Sequence, residues 1–249
     1  MLMQDRVVLV TGASRGIGAA TAKLLAAHGA AVAVNFFASE EAAGDVVAAI
    51  EAAGGRAVAI GADVRDPAQV DAMVERATAE LGPVDTLVNN ASIQFPIVPF
   101  VDYEWSAFEA KLVGELGAAF HCVKAVVPGM IQRGSGCIVA ISSGLSRHPG
   151  PGFCAHSTAK SGLDAFAKSL ALELGPHGIR VNVVAPGLTI TDATAFMPEE
   201  RKQAMASMTP LGRNGLPEDV AGAVLAMAAD ATAFVSGAYV PVSGGTLMP

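Results

Sequence analysis

The residues Thr11-Gly12-Ala13-Ser14-Arg15-Gly16-Ile17-Gly18 carry the clearest chemistry in the sequence. They join a short β-branched run to an Ala-rich stretch of helical period, at the first strand-to-helix turn of the chain. Glycines at such a turn permit a tight bend. They also let backbone N–H groups approach a pyrophosphate lying at the helix N-terminus. The pattern therefore reads as a dinucleotide cradle, with Gly12, Ser14, Arg15, Gly16, Ile17 and Gly18 as binding residues. It is not a nucleoside-triphosphate loop, because no Lys-Ser/Thr pair follows the last glycine.

Short β-branched runs must position this loop. They fall at Arg6–Val10, Ala31–Asn35, Ala57–Ile60, Thr86–Asn89, Cys137–Ser142, Arg180–Ala185 and Ala238–Val242. Helical periodicity separates them over Gly16–Ala27, Glu40–Ala53, Pro67–Leu81, Phe108–Gln132, His156–Leu174 and Glu218–Ala228, with Pro67 and Pro217 at helix starts, where a missing N–H costs nothing. The alternation predicts an α/β fold: a Rossmann-type, doubly wound, seven-stranded parallel sheet with helices on both faces. No linker or repeat interrupts it, so residues 1–249 are expected to form one domain. The stretches Ser92–Asp102 and Leu188–Leu216 read as long irregular loops, the segments that usually hold substrates.

A hydrophobic content of 52% with 16% charged residues suits a well-packed core. A net charge of -7 argues against nucleic acid as a partner. Met1–Arg6 offers no apolar run, so neither a signal peptide nor an anchor is expected there, and no span reads as membrane-crossing without a charge or a breaker. Cys122, Cys137 and Cys154 are read as buried or inert thiols in a cytoplasmic protein. His28, His121, His148 and His177 lack metal-ligand spacing and are read as surface or helix-end residues; no metal is expected.

The Thr-Gly-x-x-x-Gly-x-Gly spacing resembles the cofactor signature of the classical short-chain dehydrogenase/reductases, particularly the ketoacyl-carrier-protein reductase type. Further segments match in order over nearly the whole chain. Asp63-Val64 resembles the pair that holds the adenine ring. Asn89-Asn90-Ala91 resembles the strand-four motif but continues with Ser92 where the family has glycine, and Ser142-Ser143, Lys160, Arg180-Val181-Asn182, Pro186-Gly187 and Ser243-Gly244-Gly245 follow. The resemblance implies a nicotinamide cofactor held also by Asn35, Asn90, Ala91, Lys160, Pro186, Gly187, Thr189 and Thr191. It implies a homotetramer as well, paired through the two long helices at small residues such as Gly117, Ala118 and Ala165.

In that family a tyrosine protonates the carbonyl oxygen, a lysine four residues on lowers its pKa and holds the ribose, and a serine steadies the oxyanion. Ser143 and Lys160 occupy their positions, but His156 stands in place of the tyrosine and Glu115 in place of a fourth member, an asparagine. Tyr103 and Tyr239 are expected to lie far away. Histidine does acid–base work near neutral pH. The Lys160 ammonium should disfavour the imidazolium, an effect Glu115 would offset if it reaches either group. The expectation is an NADP(H)-dependent reductase of a small, polyketide-like or carrier-bound ketone, with His156 as proton donor. Alternatives are a dehydratase, isomerase or cyclase on the same scaffold, or a catalytically silent nucleotide-binding subunit. NADP(H) is preferred over NAD(H) because Asn35-Phe36-Phe37 ends the second strand without a carboxylate and Arg15 can meet a 2'-phosphate. The apolar residues Ile93-Gln94-Phe95-Pro96-Ile97-Val98 and Phe196-Met197 point to a hydrophobic substrate.

Overall fold

Valine, isoleucine and alanine dominate the strands, as a sheet covered on both faces requires. The computed structural model describes residues 1–248. Among them, seven strands form one parallel sheet: β1 (Val7–Val10), β2 (Ala31–Phe36), β3 (Arg56–Gly61), β4 (Thr86–Asn89), β5 (Gly136–Ile141), β6 (Ile179–Pro186) and β7 (Tyr239–Val242), in the order β3-β2-β1-β4-β5-β6-β7. Side chains alternate across it. Leu9, Leu87 and Val183 face one core with α3 (Pro67–Leu81), α4 (Trp105–Arg133) and α5 (Cys154–Leu174). Val8, Val10, Val139 and Val184 face another with α1 (Gly16–Ala27), α2 (Glu40–Ala52) and α7 (Pro217–Ala228).

Strand order reverses between β1 and β4, which places the glycine loop beside Asn89–Ala91 at the carboxyl ends of the strands. Asn90 ties the two together, its Nδ2 donating to the Thr11 and Gly12 carbonyls at 2.8 and 2.9 Å. Helix ends follow local chemistry. Asp66 caps α3 by accepting from the Ala68 and Gln69 amides, and Gly134 ends α4 at φ +68°. Beyond α7, the Arg180 guanidinium donates to the carbonyls of Met227 at 2.7 Å, Ala228 at 3.1 Å and Val235 at 3.4 Å. Asn182, wholly buried, bonds Val235 O and the Ala238 amide.

Several boundaries differ from expectation. A further helix, α6 (Glu199–Met208), occupies the stretch read as irregular; it has no buried residue, so no apolar stripe announces it. α4 starts three residues early, at Trp105, and α5 starts at Cys154. Ala118 points into the core, whereas Gly117 and Ala165 lie outward. By length and composition α4 is apolar enough to cross a bilayer, but it packs on α3, α5 and β5 as part of the helical layer.

Candidate active site

Each glycine of the cradle answers a steric demand. Gly12 turns the chain at φ +59°, and a Cβ there would come within 2.9 Å of Ala91 Cα. At Gly18 a Cβ would meet Asn90 Nδ2 and the Gly12 carbonyl, both at 2.5 Å. Arg15 precedes α1 without bonding its first amides, and no acidic residue lies in the first turn. Those N–H groups keep their capacity for an anion, so the cradle fits a dinucleotide pyrophosphate. Thr191, after β6, lies opposite Gly16, 3.5 Å from where a Cβ there would stand, and Thr189, buried, bonds the Gly187 carbonyl.

Around the expected adenosine end the side chains are already engaged. Asn35 turns inward. Its Oδ1 accepts from Gly12 N at 3.1 Å and its Nδ2 donates to the Phe36, Ile60 and Ala62 carbonyls, so it braces the loop rather than lining the cleft. Val64 packs into the core. The Arg65 guanidinium donates to both oxygens of the Asp63 carboxylate and holds it below the usual aspartate range. The same guanidinium lies over the Phe37 ring, and Arg15 donates to Ser39 Oγ at 2.7 Å.

At the expected catalytic end, Ser143 follows β5 and Lys160 reaches the same strand end, its Nζ donating to the Ile141 carbonyl at 2.7 Å. Ser143 Oγ accepts from the Leu145 amide, which leaves its O–H free to donate. Glu115 does reach Lys160: Oε1 stands 2.6 Å from Nζ, a charge contact outside hydrogen-bond alignment. Its other oxygen meets a residue not anticipated, Lys111, at 2.6 Å. All three charged side chains are buried. The signal for Lys111 was its place on the stripe of Glu115, Ala118 and Cys122, every third or fourth residue of α4 and otherwise a core stripe.

His156 stacks on Phe95 at 4.8 Å between ring centroids and 15° between planes, with Phe153 at its edge. Its Nδ1 is buried without a hydrogen-bond partner among the described residues. Burial, Lys160 and Lys111 together push its pKa down to about 3, against Glu115 alone. The imidazolium that could donate near neutral pH is therefore not the resting form, because burial, reinforced by two ammonium groups, outweighs the one carboxylate. Tyr239 also departs from expectation: its hydroxyl lies 3.3 Å from the Ser143 carbonyl and from Ser146 Oγ. It supports the backbone behind Ser143, its ring covered by Arg147. Cys122 and Cys137 are buried and their thiols are pushed up to about 12 and 11, so neither is a nucleophile. Among the described residues, no group of three or more His, Cys, Asp or Glu is placed to hold a metal.

A glycine cradle at the switch point of a seven-stranded parallel sheet, with a serine, a lysine and a proton-bearing ring beyond it, defines a nicotinamide-type oxidoreductase scaffold. The chain belongs to the short-chain dehydrogenase/reductase family: residues 12–246 match the family model described as enoyl-(acyl carrier protein) reductase. It is 41% identical to the L-rhamnose 1-dehydrogenase (NAD(P)(+)) of Sphingomonas sp. (strain SKA58), covering 98% of this chain and 97% of that one. It is 37% identical to the 3-oxoacyl-(acyl-carrier-protein) reductase of Staphylococcus aureus, over 99% and 100% respectively. Among solved structures, 7α-hydroxysteroid dehydrogenase complexed with NADH and 7-oxo glycochenodeoxycholic acid superposes with a TM-score of 0.94 at 33% identity, covering 99% of this chain and 96% of that one.

Proposed function

We propose that this oxidoreductase uses NADP(H) to reduce a ketone to an alcohol, with His156 bonding and protonating the carbonyl oxygen. The observation that carries the reading is the placement of Lys160, one helical turn from His156 and at the strand end beside Ser143, with a single hydrogen bond committed to Ile141 O. When bound, the nicotinamide supplies hydride to the carbonyl carbon. His156 meets the oxygen as a neutral imidazole N–H. Beside buried cations, such a ring polarises a carbonyl without first gaining a proton. Ser143 donates the second hydrogen bond, and the Lys160 charge favours the negative oxygen that develops. The proton that passes from His156 to that oxygen is replaced on the ring by one from water, so Lys160 keeps its charge throughout.

Support for NADP(H) comes from Arg15, exposed beside Ser39, and from Asn35-Phe36-Phe37, where no carboxylate opposes a 2'-phosphate. Support for an apolar substrate comes from Ile97 and Phe196, both solvent-exposed on segments after β4 and β6. Purified protein with NADPH and a panel of ketones, diketones and quinones tests the reaction through loss of nicotinamide absorbance. Tight NADPH binding with no oxidation by any of them would remove the reading. Calorimetric titration of NADPH and NADH tests the coenzyme, and Phe36→Asp should shift preference toward NADH.

A further inference from the structure

One member of the buried cluster, Lys111, is not used by the redox reading. A lysine without exposed surface is rare, because burying an ammonium is costly unless it is paired and hydrogen-bonded. Its three donors are all spent: on Glu115 Oε2 at 2.6 Å, on the Ile93 carbonyl at 2.7 Å and on Ser92 Oγ at 3.1 Å. The Phe95 ring stands 4.9 Å from the same nitrogen. Glu115 divides its oxygens between two cations: Oε2 takes Lys111 and the Ile93 amide, and Oε1 faces Lys160. Lys111 has nothing left to offer a ligand. Lys160 has.

Two ammonium groups and one carboxylate leave a single buried positive charge. Remove Lys111, and Glu115 and Lys160 cancel, with an undivided carboxylate holding the lysine that must face the reactants. We propose that Lys111 is a positioning residue of the reacting centre: by occupying one oxygen of Glu115 and fastening residues 92–95 to α4, it leaves Lys160 with uncancelled charge for the coenzyme and the developing oxyanion. The inference rests on the oxidoreductase reading and deepens it, assigning the charge of the centre to a lysine pair bridged by one carboxylate.

A double-mutant cycle tests this with wild type, Lys111→Met, Glu115→Gln and the double variant. Three quantities are read: urea unfolding, NADPH affinity by calorimetry, and kcat and KM for a ketone that the wild type reduces. Lys111→Met should lose about tenfold in NADPH affinity and in kcat with little change in KM for the ketone, a coupling of the size seen within one charge network. The double variant, in which Lys160 again stands beside a neutral group, should recover to within about threefold of Glu115→Gln. A packing role predicts the opposite, a double variant as impaired as Lys111→Met or worse, and that result overturns the proposal. So does a folded Lys111→Met with wild-type affinity and kcat. If urea unfolding shows that Lys111→Met does not fold, Lys111→Gln, which keeps a donor for Ile93 O without the charge, takes its place. A wild type that binds NADPH but reduces no ketone ends the redox reading, and the affinity cycle still decides the role of Lys111.

Discussion

At His156 an imidazole whose ordinary value is 6.5 is held to about 3, because burial and two lysines oppose a further positive charge. A reductase working through this ring should show no activity ionisation near neutrality that belongs to His156. His156→Phe should lose about a hundredfold, the usual scale for an acid–base group. His156→Tyr, placing a phenol beside Lys160, should reduce ketones faster than wild type. Brisk turnover indifferent to His156→Phe would require the role to be reassigned to Ser143, Glu115 or water. Lys111 gives a second prediction. Burial, opposed by Glu115, lowers its ammonium from 10.5 to about 8, so between those values the unfolded chain holds a proton that the folded chain releases. The stability of wild type relative to Lys111→Met should therefore rise from pH 8 to pH 10.5, with the full penalty below 8, as read from urea midpoints. In the sequence, Ser143, His156, Lys160 and Glu115 were legible through the family pattern they resemble, counted residue by residue, and not through composition or periodicity. Lys111 stayed hidden because a lysine four residues before a glutamate normally reads as a solvent-facing pair. The inward turn of Asn35 was hidden too, since only the neighbouring loop determines what a strand-end amide meets.

Among the elements, those with an apolar period were readable and those without were not. α1 and α3 begin and end as their patterns indicate, whereas α6 has no buried face to reveal it. The early start of α4 at Trp105 brings Lys111 a full turn and a half inside the helix, where its backbone is fixed well enough to hold a buried ammonium. The segment after β4 has no regular structure near its start, yet Lys111 pins it at Ser92 and Ile93 and so delivers Phe95 to His156. If that ring supplies much of the dryness around the imidazole, Phe95→Ala should admit water and raise the His156 pKa from about 3 toward 6.5, followed by NMR titration of the ring signals. An unchanged titration would mean that Phe153 and the two lysines suffice.

For the molecule as a whole, the alternation of strand and helix indicated a doubly wound parallel sheet of seven strands, and the structure adds the order of those strands. Quaternary structure does not follow in the same way. We expect a homotetramer in which α4 and α5 pair across a two-fold axis. The exposed Val113, Phe120 and Leu172 on these helices, with Gly117 and Ala165 outward between them, favour a close helical contact. Sedimentation velocity at micromolar concentration should show one species of four chains, and a stable monomer would contradict it. The gathering of carbonyls by Arg180 has a consequence for how the fold opens. Among the described residues β7 pairs with β6 alone, so the sheet edge is retained by that ladder, by the Asn182 amide on the approach to β7 and by a guanidinium that draws the end of α7 and the same approach onto β6. The guanidinium reaches five acceptors, the carbonyls of Met227, Ala228, Ala229 and Val235 and the Thr232 hydroxyl, and the three donors of Arg180→Lys cannot serve them all. In hydrogen exchange, the amides of β7 and the last turn of α7 should then lose protection first, as a separately opening unit, while those of β1, β2 and β3 keep the protection of the global transition.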